Sequence, residues 1–204
     1  MLRDHINGAA RRVPVWMVWL ALGAPAVWYL YLGLTGGLGA DPIEALEHAL
    51  GEMALQLLVA GLCVTPLRRY LGINLLRFRR TIGLLAFTYV ALHLAVWLVL
   101  DVQIPAQIWA DIVKRPYVTI GFAAFLLMIP LAVTSNNASV RKLGPSWRRL
   151  HQLTYAVAVM GAVHFLWLTK GFQIEPLIYL GVILALLALR LRVPRRMQRA
   201  RVGS

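Results

Sequence analysis

The apolar residues of this chain come in long runs rather than in a 3.6-residue stripe. "VPVWMVWLALGAPAVWYLYLGL", "LLAFTYVALHLAVWLVL" and "PLIYLGVILALLALRL" are the clearest. A helix that is apolar all round is buried, either in a large core or in lipid. A hydrocarbon core roughly 30 Å thick takes about 20 residues of helix. Six segments meet that requirement, at about 13–34, 47–66, 81–100, 117–134, 148–169 and 175–191. The pattern therefore predicts an all-α membrane protein, a single domain over residues 1–204 built as a six-transmembrane-helix bundle.

The polar punctuation agrees with these spans. Pro14 and Pro176 lie near helix starts, where a missing N–H costs little. Pro25 and Pro130 lie inside spans, where membrane helices tolerate a kink. Ser146 is expected to cap the fifth span and "TSNNAS" to close the fourth. The first run is long enough to span and lacks a small-residue cleavage site after it, so it is expected to stay in the protein. The sequence shows no internal repeat and no low-complexity segment.

Composition sharpens this picture. The chain is 60% hydrophobic and 14% charged, against about 25% charged for a soluble domain. A net charge of +13 raises the question of nucleic acid, but the cations sit in short segments between apolar runs. With the N-terminus in the cytoplasm, all but Lys114, Arg115 and Lys170 of the 21 lysines and arginines fall on the cytoplasmic side. Asp41, Glu44, Glu47, Asp101, Asp111 and Glu175 fall outside. That asymmetry is the positive-inside signal, and it puts both termini in the cytoplasm. Asn137-Ala138-Ser139 forms a sequon on that same side and is discounted. Cys63, the only cysteine, excludes an internal disulfide and reads as a small buried residue.

Length limits function. Six spans use about 120 residues, and a folded nicotinamide or flavin-reductase domain needs at least about 50 more in one piece. No glycine-rich dinucleotide loop stands between a strand and a helix. Any soluble reductant must come from another protein.

Histidines carry the candidate chemistry. Counting a 1.5 Å rise per residue from Arg80 and Arg149 places His93 about 20 Å and His164 about 22 Å above the cytoplasmic boundary. Two imidazoles at one depth on different spans can approach one metal from opposite sides, as in a b-type haem. Ala91, Ala95, Gly161 and Ala162 are small neighbours that would admit a flat ring. The bland alternative is a histidine that only hydrogen-bonds between helices, although intramembrane ionisable groups tend to be functional. His151 lies near the cytoplasmic boundary, about 20 Å along the helix from His164, so the two cannot share an iron. It serves either a second site or the interface. Its counterpart thirteen residues before His93 is Arg80, which cannot ligate. His48, at the outer edge, reads as a helix cap or as a partner contact. Glu52, a turn further in, reads as the most buried acid. Arginines in "RRYLGINLLRFRRT" suit haem propionates or a flavin phosphate, and equally the topology of any cytoplasmic loop. The seven tryptophans fall mostly near span ends, as an aromatic belt does.

"GGLGADPIEALEHALGEMAL", "TPLRRY", "RPYVTIGF", "TSNNASVRKLGPSWRRLHQLTYAVAVMGAVHFLW" and "PLIYLGV" together resemble the MsrQ family, over about residues 30–192. These are haem-binding membrane subunits within the ferric-reductase-like transmembrane group. The resemblance implies a multi-pass protein of the bacterial inner membrane carrying b-type haem (heme b) and FMN. It implies electron delivery to MsrP, a periplasmic molybdopterin methionine-sulfoxide reductase, from a cytosolic flavin reductase or the quinone pool. The family's haem-linked histidines match His93, His151 and His164. On this reading the chain is an electron-transfer subunit rather than an enzyme alone. The rivals are a quinone-oxidising cytochrome serving another partner, and a proton-linked transporter using His93, His164 and Glu52.

Overall fold

In the computed structural model, residues 2–169 and 173–190 are described, and their regular structure is all helical. Ten helices follow one another: α1 (Leu2–Arg12), α2 (Val15–Leu34), α3 (Pro42–Pro66), α4 (Arg79–Val96), α5 (Pro105–Lys114), α6 (Pro116–Val133), α7 (Asn137–Leu143), α8 (Pro145–Leu150), α9 (Leu153–Leu168) and α10 (Ile174–Ala188). A π-helical turn, Leu67–Leu71, prolongs α3, and another, Trp97–Val102, prolongs α4. Four of these elements, α2, prolonged α3, prolonged α4 and α6, are long and apolar enough to cross a membrane.

The remaining two expected spans are helical but short. α9 has 16 residues and α10 has 15, about 24 and 22 Å of helix. The fifth run is interrupted at His151–Gln152, which separates α8 from α9. Ser146 is not a cap: α8 begins with Pro145 after Gly144, and no side chain caps it. Three elements were not anticipated. α1, α5 and α7 are too short or too polar to register as apolar runs. Lys170 and the arginines from Arg192 to Arg201 lie outside the described residues.

Local chemistry sets several boundaries. Asp41 caps α3 by accepting from the Glu44 N–H at 3.1 Å, with Pro42 in the first turn. His48 is therefore not the cap. Gly72 closes the π turn in the left-handed region, φ 69°, and a Cβ there would meet Arg3 Cδ at 2.7 Å. That closeness docks α1 on the 72–77 segment. Asn7 donates to Gly72 O, Asn7 Oδ1 accepts from Asn74 N, and Arg77 donates to the carbonyls of Ala10 and Arg11.

α3 lies centrally, packed on α2, α4, α9 and α10, while α6 pairs with α9 and touches α4. Leu50, Ala86, Tyr89 and Val157 belong to one buried cluster; Leu62, Ala158, Ala162 and Ile183 belong to a second. Tyr89, 1% exposed, has a polar duty as well. Its hydroxyl donates to Leu22 O (2.8 Å) and accepts from Ala26 N (3.0 Å). Those two groups form one i, i+4 step of α2, beside Pro25, so the hydroxyl satisfies backbone where the proline disturbs the ladder. Tyr89→Phe is expected to lower stability by about 1–3 kcal/mol. Unfolding of the detergent-purified protein measures it, and an unchanged midpoint would remove this role.

Candidate functional site

Four helices converge on His93 and His164. His93 is in the last turn of α4, and its Nδ1 lies 2.9 Å from the carbonyl oxygen of Glu47 on α3. His164 is on α9, and its Nδ1 lies 2.7 Å from the carbonyl oxygen of Tyr117 on α6. A carbonyl only accepts, so each Nδ1 carries the proton and each Nε2 keeps its lone pair. Among the described residues no hydrogen bond engages either Nε2. An imidazole oriented through Nδ1–H to a backbone carbonyl is the ordinary arrangement of a metal-ligating histidine.

The same device occurs twice. Four residues after each of these accepting carbonyls stands a glycine, Gly51 on α3 and Gly121 on α6. A Cβ at Gly51 would sit 3.1 Å from His93 Nδ1, and one at Gly121 would sit 2.7 Å from His164 Nδ1. Absence of a side chain is what lets each ring reach its carbonyl. The α3/α4 and α6/α9 pairs thus repeat a carbonyl–glycine–histidine unit.

Between the units the two imidazole centroids are 6.2 Å apart, with ring planes at 82°. Two metal–imidazole bonds of roughly 2 Å each, plus about 1 Å from each nitrogen to its ring centre, give roughly 6 Å for a pair on opposite sides of one metal. The rings line a cavity of about 880 Å³ whose walls include Leu55, Val90, Phe122, Phe125 and Gly161. Ordinary cofactor sites span roughly 300–1,000 Å³. Orphaned ligand nitrogens, spacing, glycine cradles and apolar walls all fit a haem. Gly161 does line this cavity, as the sequence suggested, but the glycines that touch the imidazoles are Gly51 and Gly121. Among the described residues no group of three or more His, Cys, Asp or Glu forms another metal cluster.

The mouth of this cavity is acidic. Asp41, Glu44, Glu47, Glu52, Asp101 and Glu175 line it, with His48 and Arg115. Arg115 is ion-paired to Asp111 at 3.1 Å and donates to the Tyr117 hydroxyl at 3.3 Å. Tyr117 chiefly, and Asp111 after it, hold its guanidinium above the ordinary range. Glu52 accepts from Gln56 (2.8 Å) and from the Tyr179 hydroxyl (3.3 Å). It is not the most buried acid: Asp111, on α5, is 8% exposed and belongs to the buried set, which Glu52 does not.

The opposite end of the bundle is basic and holds a larger cavity, about 2210 Å³. Arg68, Arg69, Arg77, Arg79, Arg80, Arg148 and Arg190 line it, together with His151 and Trp147. Trp147 stacks on His151 with centroids 3.9 Å apart and donates to Thr134 O at 2.9 Å. Thr134 gives its hydroxyl proton to Pro130 O (2.6 Å), so its oxygen accepts from His151 Nε2 at 3.1 Å. His151 is thereby the opposite tautomer, with its lone pair on Nδ1. Arg80, the position matching His151 on α4, donates to Asn137 at 2.8 Å. No second imidazole lines this cavity among the described residues.

Leu58, Met128 and Val157 line both cavities and form the floor between them. Phe87 of the basic-end cavity stacks on Phe125 of the acidic-end cavity, 5.8 Å apart and within 5° of parallel.

Residues 48–162 match the family described as ferric reductase like transmembrane component. A Brucella anthropi protein named protein-methionine-sulfoxide reductase heme-binding subunit MsrQ is 48% identical over 192 residues, 92% of this chain and 87% of its own length. The Brucella ovis protein of the same name is 49% identical over 181 residues, 88% of this chain and 82% of its own. The chain belongs to the MsrQ family. The region matched to the ferric-reductase-like family runs from His48 to Ala162, which takes in His93, His151, Gly51 and Gly121 but not His164, nor cavity-lining residues such as Asp41, Glu47, Glu175 and Arg190. The longer relatives' alignments cover about nine-tenths of the chain. No solved structure matches it. Family membership and the four long apolar helices make this a multi-pass membrane protein.

Proposed function

We propose that this chain is an electron conduit across the bacterial inner membrane, with a b-type haem held by Nε2 of His93 and Nε2 of His164. The observation that carries this reading is the pair of proton-free Nε2 atoms, unpartnered among the described residues, on rings 6.2 Å apart. A haem bound there supplies a one-electron iron couple. The chain's own part is to fix the ligand tautomers, exclude water with apolar walls, and set a second basic cavity behind the floor of Leu58, Met128 and Val157.

Six spans with both termini in the cytoplasm fit this role. α8–α9 and α10 act as the fifth and sixth crossings, and the arginine-lined cavity faces the cytoplasm. That cavity is the place for a second cofactor. Its arginines suit the phosphate of FMN, and Trp147 and His151 offer a flat surface and a lone-pair nitrogen. Electrons come to this end from a cytosolic flavin reductase or the quinone pool. They leave at the acidic end to MsrP, a periplasmic molybdopterin enzyme that repairs methionine sulfoxide. The relatives' printed name, a heme-binding subunit of a methionine-sulfoxide reductase, supports that assignment.

Purification from haem-replete cells tests the reading. The protein is expected to be coloured, with a Soret band that shifts when dithionite is added. A colourless preparation overturns it and favours a proton-linked transporter using His93, His164 and Glu52.

A further inference from the structure

The two carbonyl–glycine–histidine units do more than present two nitrogens. They fix the rotation of each ring about its own ligand bond. Resting on the haem reading above, we infer that Gly51 and Gly121 are positioning residues that lock the two axial imidazoles nearly perpendicular, giving a ferric haem of unusually large magnetic anisotropy.

Each ring is held at two points. Nδ1 is hydrogen-bonded to a helix carbonyl, Glu47 O at 2.9 Å or Tyr117 O at 2.7 Å. The part of the ring around Nδ1 lies close to where the glycine one turn on would carry a side chain: a Cβ would come within 3.1 Å of His93 Nδ1 and 3.3 Å of its Cε1, or 2.7 Å and 2.9 Å of the same atoms of His164. A ring so held cannot spin without losing its hydrogen bond or leaving its glycine seat. The carbonyls belong to different helices, α3 and α6, and the resulting ring planes stand at 82°. Orientation of a ligand by its hydrogen-bonded neighbours is a general means of tuning a metal.

The electronic consequence follows from orbital symmetry. An axial imidazole raises the iron d orbital that overlaps its π system. Parallel rings raise the same orbital, split the pair, and give a three-line rhombic spectrum. Perpendicular rings raise one orbital each, leave the pair nearly degenerate, and preserve orbital angular momentum. The paramagnetic resonance then collapses toward one strongly shifted, large-g feature.

The test uses the full haem-loaded chain in detergent, oxidised, at liquid-helium temperature. Near-infrared magnetic circular dichroism is recorded on the same sample, because its charge-transfer band reports a bis-imidazole ligand pair whatever the ring angle. A bis-imidazole band with a large-g feature is expected. A bis-imidazole band with a three-line rhombic signal overturns the ring-locking inference while the ligand pair stands. A band of another ligand type overturns the ligand pair, and this inference with it. Variants assign the cause. Gly121→Ala, which drives a Cβ to 2.7 Å from a ring nitrogen, is expected to abolish the large-g feature. Gly51→Ala, at 3.1 Å, is expected to shift it less. Gly181→Ala on α10, whose Cβ meets nothing within 4 Å, is expected to leave it unchanged. A wild-type signal in both Gly51→Ala and Gly121→Ala overturns the role of the glycines.

Discussion

Replacing either His93 or His164 by alanine is expected to reduce bound haem to less than about a tenth of wild type, the scale of loss when a metal's binding shell is broken. On the proposed ligation, each substitution removes one of two iron bonds and does nothing to help the other. It also removes the imidazole's hydrogen bond to the Glu47 or Tyr117 carbonyl, which keeps only its intrahelical partner, and leaves an empty volume. Pyridine haemochromogen quantification on protein purified at equal yield is the measurement. Full haem content in both variants would remove the ligand assignment. The two variants should behave alike, because the geometry around the two histidines is nearly the same: carbonyl, glycine four residues on, and imidazole.

His151→Ala is expected to behave differently. This ring lines the basic-end cavity, is stacked on Trp147, and is tied through Nε2 to Thr134. It touches neither His93 nor His164. The variant should keep the low-spin spectrum of the acidic-end haem and its reduction by dithionite. Its reduction by the physiological donor should fall by about tenfold or more, as expected when a group that orients a redox site is lost. Stopped-flow spectra with a reduced flavin reductase, or with quinol, provide the comparison. Loss of the acidic-end haem in this variant would contradict the separation of the two cavities. An unchanged donor rate would remove His151 from the entry path.

Depth along a helix was legible in the sequence, because 1.5 Å per residue is nearly invariant. Two arginines as boundary markers were enough to put His93 and His164 at one height, and the structure brings their rings within 6.2 Å. Rotation about each helix was not legible. The carbonyls that orient the rings belong to residues 46 and 47 positions away, on other helices. Gly51 and Gly121 did leave a trace. A glycine inside an apolar run, with no turn to make, marks a close approach of another group. Small residues beside each histidine drew attention instead, although the contacts come from the facing helix. α1, α5 and α7 escaped because a search for apolar runs passes over short amphipathic pieces. α1 shows its reason for existing only in tertiary contacts, such as Asn7 with Gly72 and Arg77 with Ala10 and Arg11. The Tyr89 hydroxyl in the α2 ladder was equally invisible, since nothing near residue 89 in sequence says that Pro25 needs a partner.

An experimental structure of the haem-loaded chain in a lipid nanodisc addresses the central claim most directly. The account predicts one macrocycle in the cavity near the acidic end, its iron about 2 Å from Nε2 of His93 and about 2 Å from Nε2 of His164, with each Nδ1 still on its helix carbonyl. An iron bonded to only one of these rings, or found solely in the arginine-lined cavity beside His151, would contradict it.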